Sequence, residues 1–421
     1  MKTLYKTLYK LTCFLAFLAV LLFLPGLSHA CTTAVLSGRC TPDGRPLLWK
    51  NRDTDHLQNR LVFFKDGKYE HIGLVNTHDK KGEKVWAGMN ETGFAIMNSN
   101  SYNLNPEDSE VEVKDRDGFV MKAALQTCKT VDDFEKLLKG QKKPMGLETN
   151  FGVIDAKGNA AYFEVSNFTH IKIDANDPKQ APEGFLIRSN HSITGREDDG
   201  TGYIRRQMAR KIFLEALKKN DLTPRFLAQD ASRCLRHGLT NRNLYDEAKK
   251  LSKQSNRFFF FRDYIPRQSS SSVSILQGVK PGEDPKLGTV WTVLGFPLTA
   301  AIVPTWVAAG PDLPKILQGN PDQSAPMCDL AMNLKAICFP ITRGSGPYYL
   351  ELAKLINRDE TGILQRLEPV ENSLLEKVNP MLKNWTENGF KADEAKAFYR
   401  WVDKEWFDDL KKVSDNRKVK R

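Results

Sequence analysis

The stretch Leu27-Ser28-His29-Ala30-Cys31-Thr32-Thr33 decides how the rest of the chain is read. Ahead of it, Lys2, Lys6 and Lys10 introduce an apolar run from Leu11 to Leu24, which Pro25 and Gly26 break. A positive start, a short apolar core and small residues at Ser28 and Ala30 read as an export signal cut after Ala30. Residues 1–30 are therefore expected to be a signal peptide, and the mature protein periplasmic or extracellular. An uncleaved membrane anchor is disfavoured because the apolar core is short for a full span. Cleavage would place a thiol and a free α-amine on one residue. Such groups titrate near ~8.5 and ~8, so the amine takes the base role that other thiol enzymes give to histidine. A lipoprotein signal also ends in cysteine, but it usually carries an aliphatic residue where Ser28 stands. Acylation of that amine would leave a lipid-anchored protein without a base, and membrane contact is expected only in that form.

Downstream, the pattern is strand-rich. Thr32 to Leu36 is β-prone, Thr41-Pro42-Asp43-Gly44 signals a turn, and Pro46 to Lys50 reads as the returning strand. A turn centred between Pro42 and Asp43 sets Cys31 opposite roughly position 54, which brings Arg52 and Asp55 beside it. A second hairpin runs from Val85 to Asn98 around Asn90-Glu91-Thr92-Gly93. Helical apolar spacing follows over Phe119 to Leu138. Strands are expected at 151–155, 161–165, 185–188, 271–279 and 289–299, and helices at 203–218, 223–235 and 244–253. Strands, a block of helices and strands again indicate an α+β fold of antiparallel sheets covered by helices. Beyond about Ser324, apolar residues repeat at helical intervals, with Pro380 expected to kink or end its helix. The expected division is residues 31–323 as the catalytic domain and residues 324–421 as a helical C-terminal extension.

The net charge of +11 is densest in the tail and accompanies no ladder of aromatic and basic residues, so nucleic acid is not an expected partner. Seven cysteines are too few for a disulfide scaffold; Cys328 and Cys338 are the one pair placed to join in an oxidising compartment. The sequence lacks GxSxG, GxxxxGK[ST], HExxH and paired CxxC motifs, which counts against α/β-type serine hydrolases, nucleotide enzymes and zinc enzymes.

Cys31-Thr32-Thr33-Ala34-Val35, Asn51-Arg52-Asp53-Thr54-Asp55 and Gly93-Phe94-Ala95-Ile96-Met97-Asn98-Ser99-Asn100 together resemble the choloylglycine hydrolase and penicillin V acylase group. They also resemble the related acyltransferases that use isopenicillin N. These are cysteine N-terminal-nucleophile enzymes, and the resemblance covers roughly residues 31 to 300. It implies a four-layer αββα fold and attack by Cys31 on a linear carbon–nitrogen amide bond of a small N-acyl substrate. Arg52 and Asp55 match the family's R-x-x-D pair. Asn100, or Asn98 two residues earlier on the same strand face, matches an oxyanion-hole asparagine. Asn190 matches a second asparagine near the tetrahedral intermediate, although Ser189-Asn190-His191 replaces the usual asparagine-proline context. Arg205, or Arg206 beside it, matches an arginine at the start of a helix. Hydrolysis and acyl transfer share the thioester, and no metal or organic cofactor is implied. Related enzymes are often oligomers, so a homo-oligomer is a possible state. The rival arrangement is a Cys-His dyad using His56 or His191.

Overall fold

The computed structural model describes residues 31–106, 114–319 and 323–415. The signal-peptide reading of residues 1–30 and the last six residues of the basic tail lie outside them.

Two antiparallel sheets stack face to face. The first has the order β10-β1-β2-β11-β12-β13: Phe185–Arg188, Thr32–Leu36, Leu47–Asp53, Ser270–Gln277, Thr289–Leu294 and Val303–Thr305. The second is a seven-stranded run in chain order interrupted only by helices. It comprises β3 (Asn59–Phe64), β4 (His71–Asn76), β5 (Ala87–Asn90), β6 (Ala95–Asn100), β7 (Thr149–Ile154), β8 (Ala160–Val165) and β9 (His170–Asp174). β1 and β2 lie over β6 and β7, and both faces of these strands are buried. Helices α1 (Asp117–Thr127) and α2 (Val131–Lys139) cover the outer face of the second sheet around Phe134, Phe151 and Phe163. Helix α3 (Tyr203–Lys218) covers β1 and β10 on the first. The result is the expected αββα stack.

The single helix expected over 119–138 is two. Thr130 starts α2 with a capping box, its hydroxyl accepting from the Asp133 N–H while the Asp133 carboxylate accepts from the Thr130 N–H. Cys128 and Thr130 are both extended, so the segment packs on the sheet as two shorter helices.

From Pro326 onward the chain is mainly helical: α4 (Pro326–Cys338), α5 (Ile363–Asn388), α6 (Ala392–Trp401) and α7 (Phe407–Asp415). These helices share one apolar core with the first sheet, where Trp306 meets Trp385, Phe398 and Tyr399. Glu371 of α5 is fully buried and bidentate to Arg233, at 2.7 and 2.8 Å. Pro380 does not end its helix; α5 runs through both Pro369 and Pro380. Pro380 lies on the exposed face, where water can take up the carbonyl it frees. Cys328 and Cys338 both lie on this one helix α4 and are not joined by a disulfide. Ten residues of helix separate them by about 15 Å, too far for a bridge, so the expected pairing does not occur.

Candidate active site

The first hairpin builds the site. Thr32 pairs Asn51, so Cys31 stands opposite Arg52 and not opposite position 54. The turn centres one residue earlier than the motif suggests, and each such step moves a cross-strand partner by two. The side-chain face is preserved; the identity of the opposing residue is not. Across β2, a bulge at Ser270 to Ser272 faces Asp53 and Arg52. Bulges re-aim side chains next to functional sites.

Cys31 is 7% exposed at the start of β1 and lines a cavity of about 370 Å³ with Lys50, Arg52, Asp53, Asn98 and Asn100. That volume suits a small ligand. Its backbone nitrogen donates to Asn190 Oδ1 at 2.9 Å. Arg205, buried at the N-terminus of α3, donates from Nη1 to the Cys31 carbonyl (2.7 Å) and to Thr32 Oγ1 (2.8 Å). Its Nη2 donates to the same Asn190 oxygen at 3.0 Å. One arginine thereby fixes the strand start and the residue that holds its nitrogen. Gly202 makes room: its φ is +87°, and a Cβ there would strike the Arg205 guanidinium and Ser189. Arg206 instead donates to the Ile187 carbonyl and takes no part.

Asn190 is fully buried and does not line the cavity. Its Nδ2 donates to the Asn100 carbonyl at 3.0 Å. It therefore ties the Cys31 nitrogen to the end of β6. Its segment is pinned by Glu164, which pairs with Arg188 at 2.6 Å and accepts from the N–H groups of Ile193 and Thr194. Asn98 and Asn100 both reach the cavity, but the Asn98 amide is committed. Its oxygen accepts from Lys50 Nζ (2.6 Å) and its nitrogen donates to Asp117 (2.7 Å).

Asp55 is exposed and is not among the residues lining the cavity, because β2 ends at Asp53 and Asp55 falls beyond its last pair. The buried carboxylate here is Asp53. It accepts from Ser270 Oγ at 2.5 Å and lies 3.9 Å from Arg205. Burial pushes its pKa up, opposed by Arg267, Arg205 and Lys335. Arg205 in turn is lowered to about 10 by burial, with Asp53 pulling it back. Lys335 belongs to α4, so the C-terminal helices contribute charge behind the site. The same R/K-x-x-D spacing occurs one strand repeat earlier, at Lys50 and Asp53, which is the signal the sequence reading passed over.

His191 does not reach Cys31's cavity. Its ring stacks on Tyr203 and its Nδ1 lies 3.0 Å from Ser189 Oγ. Burial lowers its pKa to about 4. His56 lines the cavity, its ring tilted at 48° against that of His78 with centroids 4.2 Å apart. Among the described residues, no three His, Cys, Asp or Glu side chains are grouped to hold a metal ion, and no helix is long and apolar enough to cross a membrane.

An αββα stack whose first strand starts beside a buried cysteine that lines a cavity is the arrangement of the N-terminal-nucleophile class. Residues 40–292 match the model of the family described as acyl-coenzyme A:6-aminopenicillanic acid acyl-transferase, more than half the chain, and the protein belongs to that family. The matched stretch begins after Cys31. Among solved structures, the chain is similar to a Caenorhabditis elegans ortholog of N-acylethanolamine-hydrolyzing acid amidase, at 16% identity over 46% of this chain and 86% of that one, with a TM-score of 0.34. It is similar to penicillin V acylase from Agrobacterium tumefaciens at 14% identity, 67% and 87% coverage and a TM-score of 0.35. A variant of conjugated bile acid hydrolase from Clostridium perfringens gives 14% identity, 70% and 95% coverage and a TM-score of 0.35. No curated protein matches the sequence.

Proposed function

We propose that the protein is an exported cysteine amidohydrolase, cut after Ala30, that cleaves linear amide bonds of small N-acyl substrates through a thioester on Cys31. The observation that carries this reading is the hydrogen bond from the Cys31 nitrogen to Asn190, itself held by Arg205. It orients the group that becomes an amine on cleavage, on a residue that lines the cavity. The amine takes the thiol proton, the sulfur attacks the amide carbonyl, and the ammonium returns the proton to the departing amine. Water then hydrolyses the thioester, releasing the acid. Asn100 is the cavity asparagine offered to the oxyanion; one such donor is worth on the order of 10²–10³ in rate. The burial of Cys31 also weighs against a lipid on its nitrogen.

Acyl transfer to a second amine uses the same thioester, and the family's description favours it as the second reading. The test is intact mass and N-terminal sequencing of the exported protein, followed by a panel of N-acyl amides assayed against Cys31→Ala. A chain starting at an unmodified Cys31, an acyl adduct on that residue and no turnover by a folded Cys31→Ala support the proposal. A diacylglyceryl or acylated Cys31, or retained turnover in the variant, overturns it.

A further inference from the structure

We propose that Lys50, anchored by Asn98 and through it by Asp117, is a positioning residue that holds a positive charge against the Cys31 thiolate. The inference rests on the reading of Cys31 as nucleophile and adds a group that reading does not contain.

The placement follows from the hairpin. Lys50 pairs Thr33 on β1, so Lys50 and Arg52 share the face of Thr33 and Cys31, the one turned toward the second sheet. Lys50 is then diagonal to Cys31, a separation that long side chains span. Lys50 lines the cavity, and its Nζ donates to the Trp86 carbonyl (2.8 Å) and to Asn98 Oδ1 (2.6 Å). Asn98 Nδ2 donates to Asp117 Oδ2 at 2.7 Å. A lysine, an amide and a carboxylate thus form a fixed buried chain, of which the lysine and the amide reach the cavity and the carboxylate does not.

Lys50 is 1% exposed and, among the described residues, no carboxylate lies within ion-pair distance of it. A desolvated ammonium is costly without an anion. Asp117 supplies charge at one remove, and the thiolate supplies it across the cavity. The neighbouring cation is placed differently: Arg52 donates to Asn59 Oδ1 at 2.6 Å and its guanidinium lies over the Trp86 ring at 4.8 Å. The charged and titratable groups facing Lys50 are Cys31 from β1, Arg52 from its own strand, and Asp115 and Asp117 from the start of α1. Farther out, His56, His78, Asp79, Glu83 and Lys84 line the same cavity, with Asp53 beside Cys31. Burial lowers Lys50 to about 8 while Cys31 and Asp117 draw it back up. Burial raises Asp117 to about 6. Lysine charged and aspartate charged therefore coexist between about pH 6 and 8.

The test is the rate at which iodoacetamide alkylates Cys31 in the processed, exported protein from pH 5 to 10, read by mass spectrometry of the N-terminal peptide. An opposite charge within about 4–6 Å lowers an acid's pKa by about 1–3. Lys50→Met is expected to cut the rate at pH 7 about tenfold or more and to move the midpoint upward. Lys50→Arg should stay within about threefold of the wild type. Lys50→Gln keeps a donor for the Trp86 carbonyl without a buried charge, and it replaces Lys50→Met should the methionine variant not fold. An unchanged midpoint in a folded Lys50→Met or Lys50→Gln protein overturns the inference. If Cys31→Ala retains turnover, the assignment of the nucleophile fails; if it loses turnover while the Lys50 variants alkylate normally, only the role of Lys50 fails.

Discussion

The buried pair between Arg233 and Glu371 offers the sharpest test of how the C-terminal helices are held. Glu371 of α5 accepts two bonds from Arg233, one from the Ile302 N–H (2.8 Å) and one from Gln229 Nε2 (2.8 Å). Arg233 also donates to the carbonyls of Pro297 and Ala300. Both side chains are essentially unexposed. Glu371→Ala strands a guanidinium in the core, and removing one partner of a buried pair costs about 3–5 kcal/mol. Unfolding entropy of about 2.1 cal/mol/K per residue, over a cooperative unit of about 390 residues, gives roughly 0.8 kcal/mol/K. The melting temperature should then fall by about 4–6 °C in differential scanning calorimetry. Replacing both groups, as in Arg233→Met with Glu371→Leu, removes the stranded charge and should recover part of that loss. A fall below 1 °C in Glu371→Ala, or a double variant worse than the two single changes summed, would refute the claim that this pair ties α5 to the first sheet.

Two further outcomes bear on the site. Asp53→Asn keeps the shape but leaves buried Arg205 without its counter-ion and should lower turnover of a substrate from the amide screen by about a hundredfold, on the order of 2–3 kcal/mol. Asp55→Asn should stay within about threefold, and the reverse ranking would restore Asp55 to the site. His191→Gln tests the histidine alternative and the acid limb of stability together. His191 has a folded pKa near 4 against about 6.5 unfolded. Between those values the unfolded chain binds more protons, so stability rises with pH and is lost on acidification. The variant should retain turnover and show a shallower pH dependence of the melting temperature from about 6.5 to 4; an unchanged slope counts against the burial argument.

Much of the arrangement is local and therefore legible. Thr32 to Leu36 and the strand from Leu47 are flanked by a turn motif, so the hairpin carrying Cys31 could be read from period and punctuation. Tyr203–Lys218 has the same limits in sequence and structure. By contrast β3, β4 and β9 were not anticipated. Gly73 of β4 sits where a Cβ would strike Val85, so its fitness as a strand depends on a neighbour distant in sequence.

The sequence by itself determined the class of fold, the cysteine at the head of the first strand and the return of a basic and acidic run beside it. Only the tertiary structure decided which members of that run serve Cys31. A one-residue shift in the turn replaces position 54 by Arg52 as its partner, and the end of β2 buries Asp53 while leaving Asp55 in solvent. Asn190 holds the Cys31 nitrogen because Arg188, Glu164 and Arg205 converge from three elements. Lys50 gains its place because Asn98 and Asp117 meet it across the gap between the sheets. Hydrophobic period sets which face a side chain occupies, whereas register and desolvation set which charge it meets, and those depend on contacts that no local window of sequence contains.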